Sequence, residues 1–587
     1  MTFKKLSQYF FLLEQNSSRL KITEILARLF AQAGEEEIDK ICYLSLGRLL
    51  PSYRGLEFQM AEKMMQKAIA KAFGIDQEKV LRRYQEKGDL GLVAEEFKEE
   101  FKGKKQALLF GEDKPVGDGE TLWVYEELLA VANEAGEGSV ERKIGKMASL
   151  LGKLDGLSVR YIVRILLGKM RLGFSEMTVL DGLSWMITGD KSLRLLTEDA
   201  YNVVADVGEI ARNIKASKGI EGLRKIKPKL GTPIIPALCQ RIGTAEEIVE
   251  KLGKIAVEPK YDGTRLQVHL RKQGVSIFTR NLENVTHMFP DIVQALKKEV
   301  KVEEAIFDGE GLGIDPKTKK YLPFQETIKR KRKHNIASTA KEIPLKYFVF
   351  DILYENGESL IKEPFEKRRK ILAQTVSAKG KVICLSPQIL TSDPNKLRQY
   401  HDEQIKNGLE GIVAKKWQSV YEPGRRGFHW VKLKQEMTKK GGGLADTVDC
   451  VIMGVTRGKG KRAGFGVGSF LAGIRKNDKY VTITNIGTGL SDEQFKDLNK
   501  RSKKLKIKEK PRMYLVDKNQ EPDTWLEPEI VAEIQADNIT KSSIHTAGVA
   551  LRFPRLVRFR DDRDPSQATT LGEVEKLYGM QFGNEGG

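Results

Sequence analysis

The apolar residues of this chain change their spacing near the middle of the sequence. Up to about residue 220 they recur every three or four positions, as in VRYIVRILLGKM, which is the period of an amphipathic α-helix. From about residue 250 they alternate with a period of two, as in VSIFTR and PLKYFVFDILY, which is typical of β-strands. We therefore expect a helical region followed by a strand-rich region.

Two segments mark the boundaries between the predicted domains. Residues 227–242, KPKLGTPIIPALCQRI, hold three prolines and break the helical pattern, and a glycine-rich break follows at TKKGGGLAD. With 587 residues, the chain is long enough for about three or four domains. We predict a helical domain at residues 1–225, a mixed α/β domain at residues 226–437, and a small β-barrel at residues 438–587 with a helical insertion at SDEQFKDLNKRSKKL.

The charge of the chain favours a polyanionic partner. Lysine and arginine total 100 against 80 aspartates and glutamates, which gives a net charge of +20. Each phosphate that such a surface neutralises releases counterions, so binding to nucleic acid is favoured. The same balance also fits a lysine-rich protein with a solvated surface.

The cysteines and the N-terminus indicate the compartment. Cys42, Cys239, Cys384 and Cys450 are too scattered for a zinc site or a disulfide framework, so a reducing compartment is expected. The N-terminal YFFLL run lacks a small-residue cleavage site, and no uncharged apolar stretch is long enough to span a bilayer. We expect neither a signal peptide nor a membrane anchor.

The stretch VEPKYDGTR carries a lysine at the end of a predicted strand. Pro259 ends ladder pairing, and Asp262-Gly263 is a strong signal for a two-residue hairpin turn. A tight turn would place Lys260 opposite Arg265, whose positive charge favours the neutral, nucleophilic form of the lysine amine. A β-hairpin without a catalytic role shows the same turn residues. Lys260 is therefore a candidate nucleophile that needs support from the rest of the chain.

Carboxylates recur on strands that we expect to be mostly buried. Asp308 and Glu310, in AIFDGEGLGI, are two residues apart and project from one face of a strand. They suit a metal-bound phosphate or a ribose hydroxyl. Glu410, in LEGIVAKK, adds a third carboxylate. Each of them alone also fits a solvated glutamate or aspartate.

Lysines and aromatic residues show the same spacing. In FHWVKLK, Trp430, Lys432 and Lys434 share one strand face, and two neighbouring ammonium groups are costly unless an anion neutralises them. Phe350, in YFVFDILY, offers a ring face for a nucleobase. An edge-strand lysine and a core phenylalanine are the ordinary alternatives. The occurrence of these carboxylates, lysines and aromatic residues together in one domain favours a nucleotide site.

These residues resemble the ordered motifs of the ATP-dependent DNA ligases, particularly the archaeal and eukaryotic replicative type. The motifs are KYDGTR at 260–265, TRN at 279–281, DGE at 308–310, YFVFD at 347–351, EGIVAK at 410–415, WVKLK at 430–434 and RFPRLVRFRDDR ending at Arg563. The resemblance implies a multidomain α+β fold. Its parts are an all-helical N-terminal DNA-binding domain, a mixed α/β nucleotidyltransferase (ATP-grasp-like) domain and a C-terminal OB-fold β-barrel.

The resemblance also implies a role for each motif residue. Lys260 would be the adenylated nucleophile, Glu258 would recognise the adenine amino group, and Phe350 would stack on the base. Arg280 and Glu310 would contact the ribose. The phosphates would be contacted by Arg265, Arg426, Lys432 and Lys434. The metal would be held by Glu410 together with Glu310 or Asp308. The last motif contributes Arg558, Arg560, Asp562 and Arg563. That motif commonly ends in Asp-Lys, so the arginine at its end changes the donor geometry toward a leaving pyrophosphate.

Basic residues outside the nucleotide motifs are candidates for DNA contacts. Near the end of the helical region they interleave with apolar residues. The stretch GKGKRA formally fits the GxGxxA pattern of dinucleotide-binding proteins, but a glycine-rich strand follows it where such a unit needs a helix. We therefore interpret it as a basic loop that contacts a nucleic-acid backbone. No GxxxxGK[ST] phosphate loop is present in the sequence. The candidates are Arg160, Arg164, Lys169 and Arg171 in the helical region and Lys459, Lys461 and Arg462 in the loop.

The expected function is an ATP-dependent DNA ligase that seals nicks in duplex DNA through a lysyl-AMP intermediate and a DNA-adenylate, in replication, repair and recombination. The expected cofactors are ATP and Mg²⁺, with Mn²⁺ as an alternative. We expect a monomer on nicked double-stranded DNA, with a sliding clamp as a candidate partner, in the nucleoid-associated cytoplasm of an archaeal or archaeal-like bacterial cell. An RNA ligase, a capping-type nucleotidyltransferase and a catalytically silent nick-binding scaffold remain alternatives. Use of ADP, NAD or GTP also stays open.

Overall fold

The computed structural model describes residues 1–107, 119–217, 219–331, 335–425, 427–434, 447–458 and 465–580. The chain divides into two compact units, Met1–Lys434 and Gln435–Gly587. The first unit is helical up to Arg224 and mixed α/β after it, and the second is rich in strands. No helix within these described ranges is long and apolar enough to cross a membrane. The predicted change from helices to strands is confirmed.

The N-terminal region is built from amphipathic helices. Its described residues contain α1 Phe3–Glu14, α2 Arg19–Gln32, α3 Ile38–Ser45, α4 Glu62–Phe73, α5 Gln77–Lys87, α6 Leu90–Ala107, α7 Thr121–Ala132, α8 Ser139–Lys153, α9 Gly156–Leu166, α10 Glu176–Thr188, α11 Arg194–Val203, α12 Val207–Ala216 and α13 Ile220–Arg224. The side chains of Ser18, Asp155 and Asp206 accept hydrogen bonds from backbone N–H groups in the first turns of α2, α9 and α12. Apolar residues spaced by three and four fill one buried core.

The proline-rich segment after α13 connects the helices to the central region. The backbone N–H of Ile234 donates to Gln267 Oε1 at 2.8 Å, and Gln267 Nε2 donates to the Ile234 carbonyl at 3.0 Å. The N–H of Gly231 donates to Nδ1 of His269 at 3.1 Å. Burial, together with the nearby charge of Arg271, lowers the pKa of His269 to about 3, so its ring is neutral and can accept this bond. Two side chains of one strand therefore fix the path of the connector.

Two sheets form the frame of the central region. The strands are β1 Gln240–Arg241, β2 Ile255–Pro259, β3 Thr264–Arg271, β4 Gly274–Thr279, β5 Ala305–Gly313, β6 Leu345–Glu355, β7 Glu358–Ser359, β8 Ile383–Leu385, β9 Ile389–Thr391, β10 Gly411–Lys416 and β11 Trp430–Lys434. One sheet has the order β4-β3-β5-β6-β7, with β8 parallel to β6, and the other has the order β1-β11-β10-β2-β9. The helices are α14 Ala245–Leu252, α15 Pro290–Glu299, α16 Phe324–Thr327, α17 Ile336–Glu342, α18 Phe365–Thr375 and α19 Pro394–Lys406.

The expected hairpin at Asp262-Gly263 is wrong. β2 pairs with β9 and β10 in one sheet, whereas β3 pairs with β4 and β5 in the other, so Lys260 and Arg265 do not face each other across a ladder. Neither turn residue has a positive φ, although a type I′ hairpin turn needs it at both. Glycine is required at 263 because a Cβ there would lie 2.4 Å from the Gly311 carbonyl oxygen. The chain passes from one sheet to the other at this point.

The second unit confirms the predicted C-terminal β-rich domain. Its described elements are β12 Val448–Thr456, β13 Ser469–Lys476, β14 Lys479–Ile486, α20 Asp492–Lys504, β15 Lys506–Ile507, β16 Tyr514–Leu515, β17 Thr524–Leu526, β18 Val531–Gln535, β19 Asn538–Lys541, β20 Val549–Arg552, β21 Arg555–Phe559 and α21 Leu571–Met580. The main sheet has the order β15-β17-β12-β13-β14-β16, and β18 pairs with β12 and β21. The predicted helical insertion is α20, which begins with a capping box between Ser491 and Gln494.

Candidate active site

Lys260 follows the last residue of β2 and is held by the start of β10. Its N–H donates to the Gly411 carbonyl at 2.9 Å, and its carbonyl accepts from the N–H of Glu410 at 3.2 Å. Its Nζ forms an ion pair with the Glu410 carboxylate, which also lies 3.2 Å from Nζ of Lys434. Burial raises the pKa of Glu410, but the two ammonium groups outweigh burial and lower it to about 2. Glu410 is therefore an anion between two lysines at neutral pH.

Arg265 is fixed by a buried carboxylate rather than by its position in a hairpin. Its Nε and Nη2 donate to the two oxygens of Asp308 at 3.0 and 2.6 Å, and its Nη1 donates to the Ala237 carbonyl at 2.7 Å. The hydroxyl of Tyr421 donates to Asp308 Oδ2 at 2.8 Å. Asp308 is fully buried, and both its oxygens are taken by these donors. The expectation that Asp308 ligates a metal stays a prediction; in this structure its contacts make it the anchor of Arg265.

Glu310 lies opposite Arg265 in the ladder between β3 and β5 and is half-buried. Burial raises the pKa of Glu310 to about 8, although Lys260 and Arg265 oppose the shift. No group of three or more His, Cys, Asp or Glu in the described part of the chain is arranged to hold a metal ion. The charge of Lys260 acts to lower the pKa of both Glu310 and Glu410, so both carboxyls lie within its electrostatic reach. They fit Mg²⁺, which is commonly bound by one or two carboxylates together with substrate phosphates.

Phe350 lies where the pairing register between β5 and β6 shifts. Asp308 pairs with Asp351 and the next residue of β5 pairs with Val349, so Phe350 is the extra residue of a bulge. Its ring is edge-on to Trp430 with centroids 5.9 Å apart, and the guanidinium carbon of Arg265 lies 5.6 Å from its centroid. The structure thus brings Phe350 next to a residue expected to contact phosphate.

The two lysines of β11 lie on the predicted face. Lys432 and Glu258 lie opposite the same residue of β10, so they share one face of the sheet, and Lys434 follows by strand alternation. Val431 and Leu433 point the other way into an apolar core. This face of the sheet also carries Lys260, which is two residues after Glu258.

Two cations beside Glu258 were missed by the sequence analysis. Nζ of Lys415 lies 2.8 Å from Glu258 Oε2, and Nη1 of Arg369 lies 3.6 Å from Glu258 Oε1. The period of two offers a signal for Lys415, because it is two residues after Val413, which lies opposite Glu258. Arg369 is on α18, and nothing local in the sequence connects that helix to Glu258.

Five further residues were predicted to contact the nucleotide or DNA. Arg280 directly follows β4 and is exposed to solvent. Arg426 lies outside the described residues. So do the three predicted DNA-contacting residues of the GKGKRA loop, namely Lys459, Lys461 and Arg462.

The last motif forms its own ion-pair cluster at the end of β21. Arg560 donates to both oxygens of Asp562 at 2.8 Å and lies 3.1 Å from Asp449, and Arg563 lies 3.0 Å from the same Asp449. Arg558 donates to Glu533 at 2.7 Å and remains mostly exposed. The hydrogen bond from Arg560 lowers the pKa of Asp562 well below its usual range. The cluster presents cations that are already held by carboxylates.

Arg160 and Arg164, which were predicted to contact DNA, bind carboxylates of neighbouring helices in this structure. Arg164 is 2% exposed and donates to Asp89 at 2.9 Å and to Glu14 at 2.8 Å. Arg160 donates to Glu95 at 2.6 Å and also lies 3.6 Å from Glu14. Both guanidinium groups bind helices together inside the N-terminal region, because buried charges require partners.

Lys169 and Arg171, by contrast, remain about half exposed. Lys169 forms an ion pair with Glu62, and Arg171 lies 3.3 Å from Asp89 and donates to the Gly88 carbonyl at 2.7 Å. Exposed pairs of this kind exchange partners at small cost, so these two side chains can still reach a phosphate.

Comparisons with known proteins cover almost the whole chain. Family models match as DNA ligase N terminus over residues 2–184, ATP dependent DNA ligase domain over residues 236–434, and ATP dependent DNA ligase C terminal region over residues 463–563. A probable DNA ligase of Dictyoglomus turgidum is 42% identical over 98% of this chain and 97% of its own length. The DNA ligase of Sulfurisphaera tokodaii is 38% identical over 99% of this chain and 98% of its own length. The solved structure "Pmar-Lig_Pre." shares the fold at 17% identity, covering 95% of this chain and 99% of that chain with a TM-score of 0.52. The three family models in order and the full-length relatives establish that this chain belongs to the ATP-dependent DNA ligase family, whose members are enzymes of the ligase class.

Proposed function

We propose that this chain seals nicks in duplex DNA through a covalent adenylate on Lys260. The amine of Lys260 attacks the α-phosphorus of ATP, a P–N bond forms as the bond to pyrophosphate breaks, and Nζ gives up a proton. AMP then passes to the 5′-phosphate of the nick, and the 3′-hydroxyl displaces it to form the phosphodiester. The observation that carries the proposal is the position of Lys260 between Glu410, Glu310 and the lysines of β11.

The cations around Lys260 would stabilise the negative charge that develops on the phosphate oxygens. Arg265 is preorganised for this by Asp308, and Lys432 and Lys434 lie on the same sheet face as Lys260. Loss of one such donor would raise the barrier by about 3 kcal/mol. We further propose that Glu258 recognises the base, Phe350 stacks on it, Arg280 and Glu310 contact the ribose, and Arg426 contacts phosphate.

We propose Glu310 and Glu410 as the carboxylates that hold Mg²⁺ together with phosphate oxygens, with Mn²⁺ as an alternative. Bound there, the ion supplies positive charge to the phosphate oxygens. Lys260 attacks only as a free amine, whereas in this structure its Nζ forms an ion pair with the ionised Glu410. Glu410 must therefore exchange this partner before Lys260 reacts.

We propose a functional division into residues 1–225, 226–437 and 438–587, which supply DNA binding, adenylation and a closing β-rich domain. The substrate would be nicked duplex DNA, gripped through phosphate contacts that include Lys169, Arg171 and the loop with Lys459, Lys461 and Arg462. The last motif, with Arg558, Arg560, Asp562 and Arg563, would act on the departing pyrophosphate. A monomer in the nucleoid-associated cytoplasm, with a sliding clamp as partner, completes the proposal; the absence of any predicted disulfide framework supports this compartment.

Intact mass spectrometry tests the proposal. The purified chain is incubated with Mg²⁺ and ATP, GTP, ADP or NAD, and Lys260→Ala is the control. We expect the wild-type chain to gain the mass of AMP from ATP, and the variant to gain nothing. Addition of nicked DNA should discharge the adenylate and give a sealed strand, whereas nicked RNA should not. A wild-type chain that never gains a nucleotide would refute the proposal.

A further inference from the structure

The side chain of Lys415 lies in the interior of the central region, surrounded by aromatic rings. It is 1% exposed, and its Nζ lies 4.3 Å from the ring centroid of Trp430, 4.6 Å from that of Phe350 and 4.7 Å from that of Phe365. The ring faces attract a cation, but a buried ammonium still requires an anionic partner. The mechanism above assigns this lysine no role.

The anionic partner of Lys415 is Glu258. Nζ of Lys415 lies 2.8 Å from Glu258 Oε2 and also donates to the Phe350 carbonyl at 2.9 Å. Glu258 is two residues before Lys260, so the two side chains project from the same face of the chain. Lys415 thus ties the backbone of the stacking residue Phe350 to a carboxylate beside the nucleophile.

The second oxygen of Glu258 has no donor. Oε1 is buried without a hydrogen-bond partner within the described residues, and Nη1 of Arg369, 3.6 Å away, is likewise unpaired. The other end of that guanidinium is held, because Nη2 of Arg369 donates to the Ser386 carbonyl. A buried carboxylate oxygen without a donor is unfavourable, so Oε1 is free to accept a hydrogen bond from an N–H group of a ligand.

We propose that Lys415 is a positioning residue that sets the base specificity of the nucleotide site. It occupies Oε2 of Glu258 and fixes the group as a carboxylate, which leaves only Oε1 to accept a hydrogen bond from the 6-amino group of adenine. A 6-oxo group presents lone pairs to this oxygen and is repelled. The proposal rests on the proposed function, in which Glu258 faces the base and Lys260 receives the nucleotide.

Removal of the charge at position 415 changes what Glu258 offers to the base. In Lys415→Met the packing volume against the rings is retained, but Oε2 loses its cation. Burial already raises the pKa of Glu258 against the opposing charges of Lys415 and Arg369, so the group either binds a proton or turns toward Arg369. A protonated carboxyl donates to a 6-oxo group, and a carboxylate turned away no longer repels it. Both outcomes lower the discrimination between 6-amino and 6-oxo purines.

ATP and ITP test this inference because their bases differ at position 6. The rate of nucleotide transfer to Lys260 is measured by intact mass over a range of concentrations of each, and the ratio of the two kcat/KM values is compared. We expect the kcat/KM ratio of ATP over ITP to fall at least about tenfold in Lys415→Met. A site strongly rejects a base with the wrong hydrogen-bonding group only when its own hydrogen-bonding partner, here Glu258, is held in one state and orientation. Lys416→Met is the matched control, because Lys416 is the next residue of β10 and is exposed. It should leave the ratio unchanged.

Equal losses with ATP and ITP in Lys415→Met would assign the lysine a purely structural role and overturn the inference. If that variant does not fold, Lys415→Gln replaces it, because the amide still donates to the Phe350 carbonyl while the charge is absent. The ratio is expected to fall there too, and an unchanged ratio would overturn the inference equally. A wild-type chain without any nucleotide adduct would instead refute the proposed function.

Discussion

The role of Asp308 can be tested by Asp308→Asn, which separates an anchor of Arg265 from a metal ligand. The carboxylate accepts three hydrogen bonds, two from Arg265 and one from Tyr421, and is fully buried. An amide of the same size offers one oxygen and turns an NH₂ group toward these donors. Arg265 is then a buried cation without its anion, and it keeps hydrogen bonds to the Ala237 carbonyl at 2.7 Å and to the Tyr421 hydroxyl at 3.5 Å.

Loss of one partner of a buried ion pair costs about 3–5 kcal/mol. The lower value applies here because the Ala237 bond remains. A loss of about 3 kcal/mol in a cooperative unit the size of Met1–Lys434 lowers the Tm by about 3 °C, because the unfolding entropy is about 2.1 cal/mol/K per residue. Because Arg265 also loses its orientation, nucleotide transfer to Lys260 should slow by about 100-fold. The apparent affinity for Mg²⁺ should stay the same, since the variant removes no ligand of the ion.

Differential scanning calorimetry of the full chain gives the Tm, and adenylation rates over a range of Mg²⁺ concentrations give the metal affinity. Asp402→Asn is the control, because its carboxylate is exposed on α19 and pairs only with His401 among the described contacts. Tyr421→Phe removes one hydrogen bond to the same carboxylate and also the acceptor of the Ala237 N–H, so it should cost about 3 kcal/mol. A variant Asp308→Asn with an unchanged Tm and a weakened Mg²⁺ affinity would show that the aspartate is a metal ligand after all.

Further predictions concern Glu310 and the helical region. Because Glu310 has a pKa of about 8 in the free protein, it must lose a proton to hold Mg²⁺, so the apparent Mg²⁺ affinity should rise about tenfold per pH unit from pH 6 to 8 and then level off. Metal titrations of adenylation at each pH check this, and a slope that persists in Glu310→Gln would assign it to another group. Arg164→Met should lower the free energy of unfolding by about 3–5 kcal/mol, measured by urea denaturation, with nicked-DNA affinity of the folded protein unchanged. Lys169→Gln should change that free energy by less than about 0.5 kcal/mol but weaken DNA binding and reduce its salt dependence in anisotropy titrations.

The period of the apolar residues was sufficient to predict which face of β11 is buried. It separated Val431 and Leu433 from Lys432 and Lys434 on β11, and it located the helix inserted into the C-terminal domain. These features depend only on residues within one element. Alternation within a strand is a local property, so it can be read without knowledge of the partner strand.

The partner of each element could not be predicted in the same way. Asp262-Gly263 satisfies the local rule for a hairpin, yet the strands on either side belong to different sheets. The carboxylate of Asp89 that binds Arg164 is 75 residues away along the chain. An amphipathic helix with a solvent-exposed basic face has the same sequence pattern as a helix whose arginine is buried against a carboxylate. Contacts over such separations depend on tertiary packing, which overrides local signals.

The two glutamates beside Lys260 show why residue type alone did not determine the chemistry of the site. Glu410 lies between two ammonium groups and is ionised with a pKa near 2, whereas Glu310 is desolvated, lacks a comparable ion pair among the described contacts, and has a pKa near 8. At neutral pH the free protein therefore holds one charged and one neutral carboxyl next to the nucleophile. Under the proposed function, Glu310 would have to lose its proton and Glu410 would have to exchange a lysine partner before the two carboxylates could hold Mg²⁺. We therefore expect ATP binding to depend on the exchange of the partner of Glu410, and this expectation follows from the two environments, not from the motifs that contain the residues.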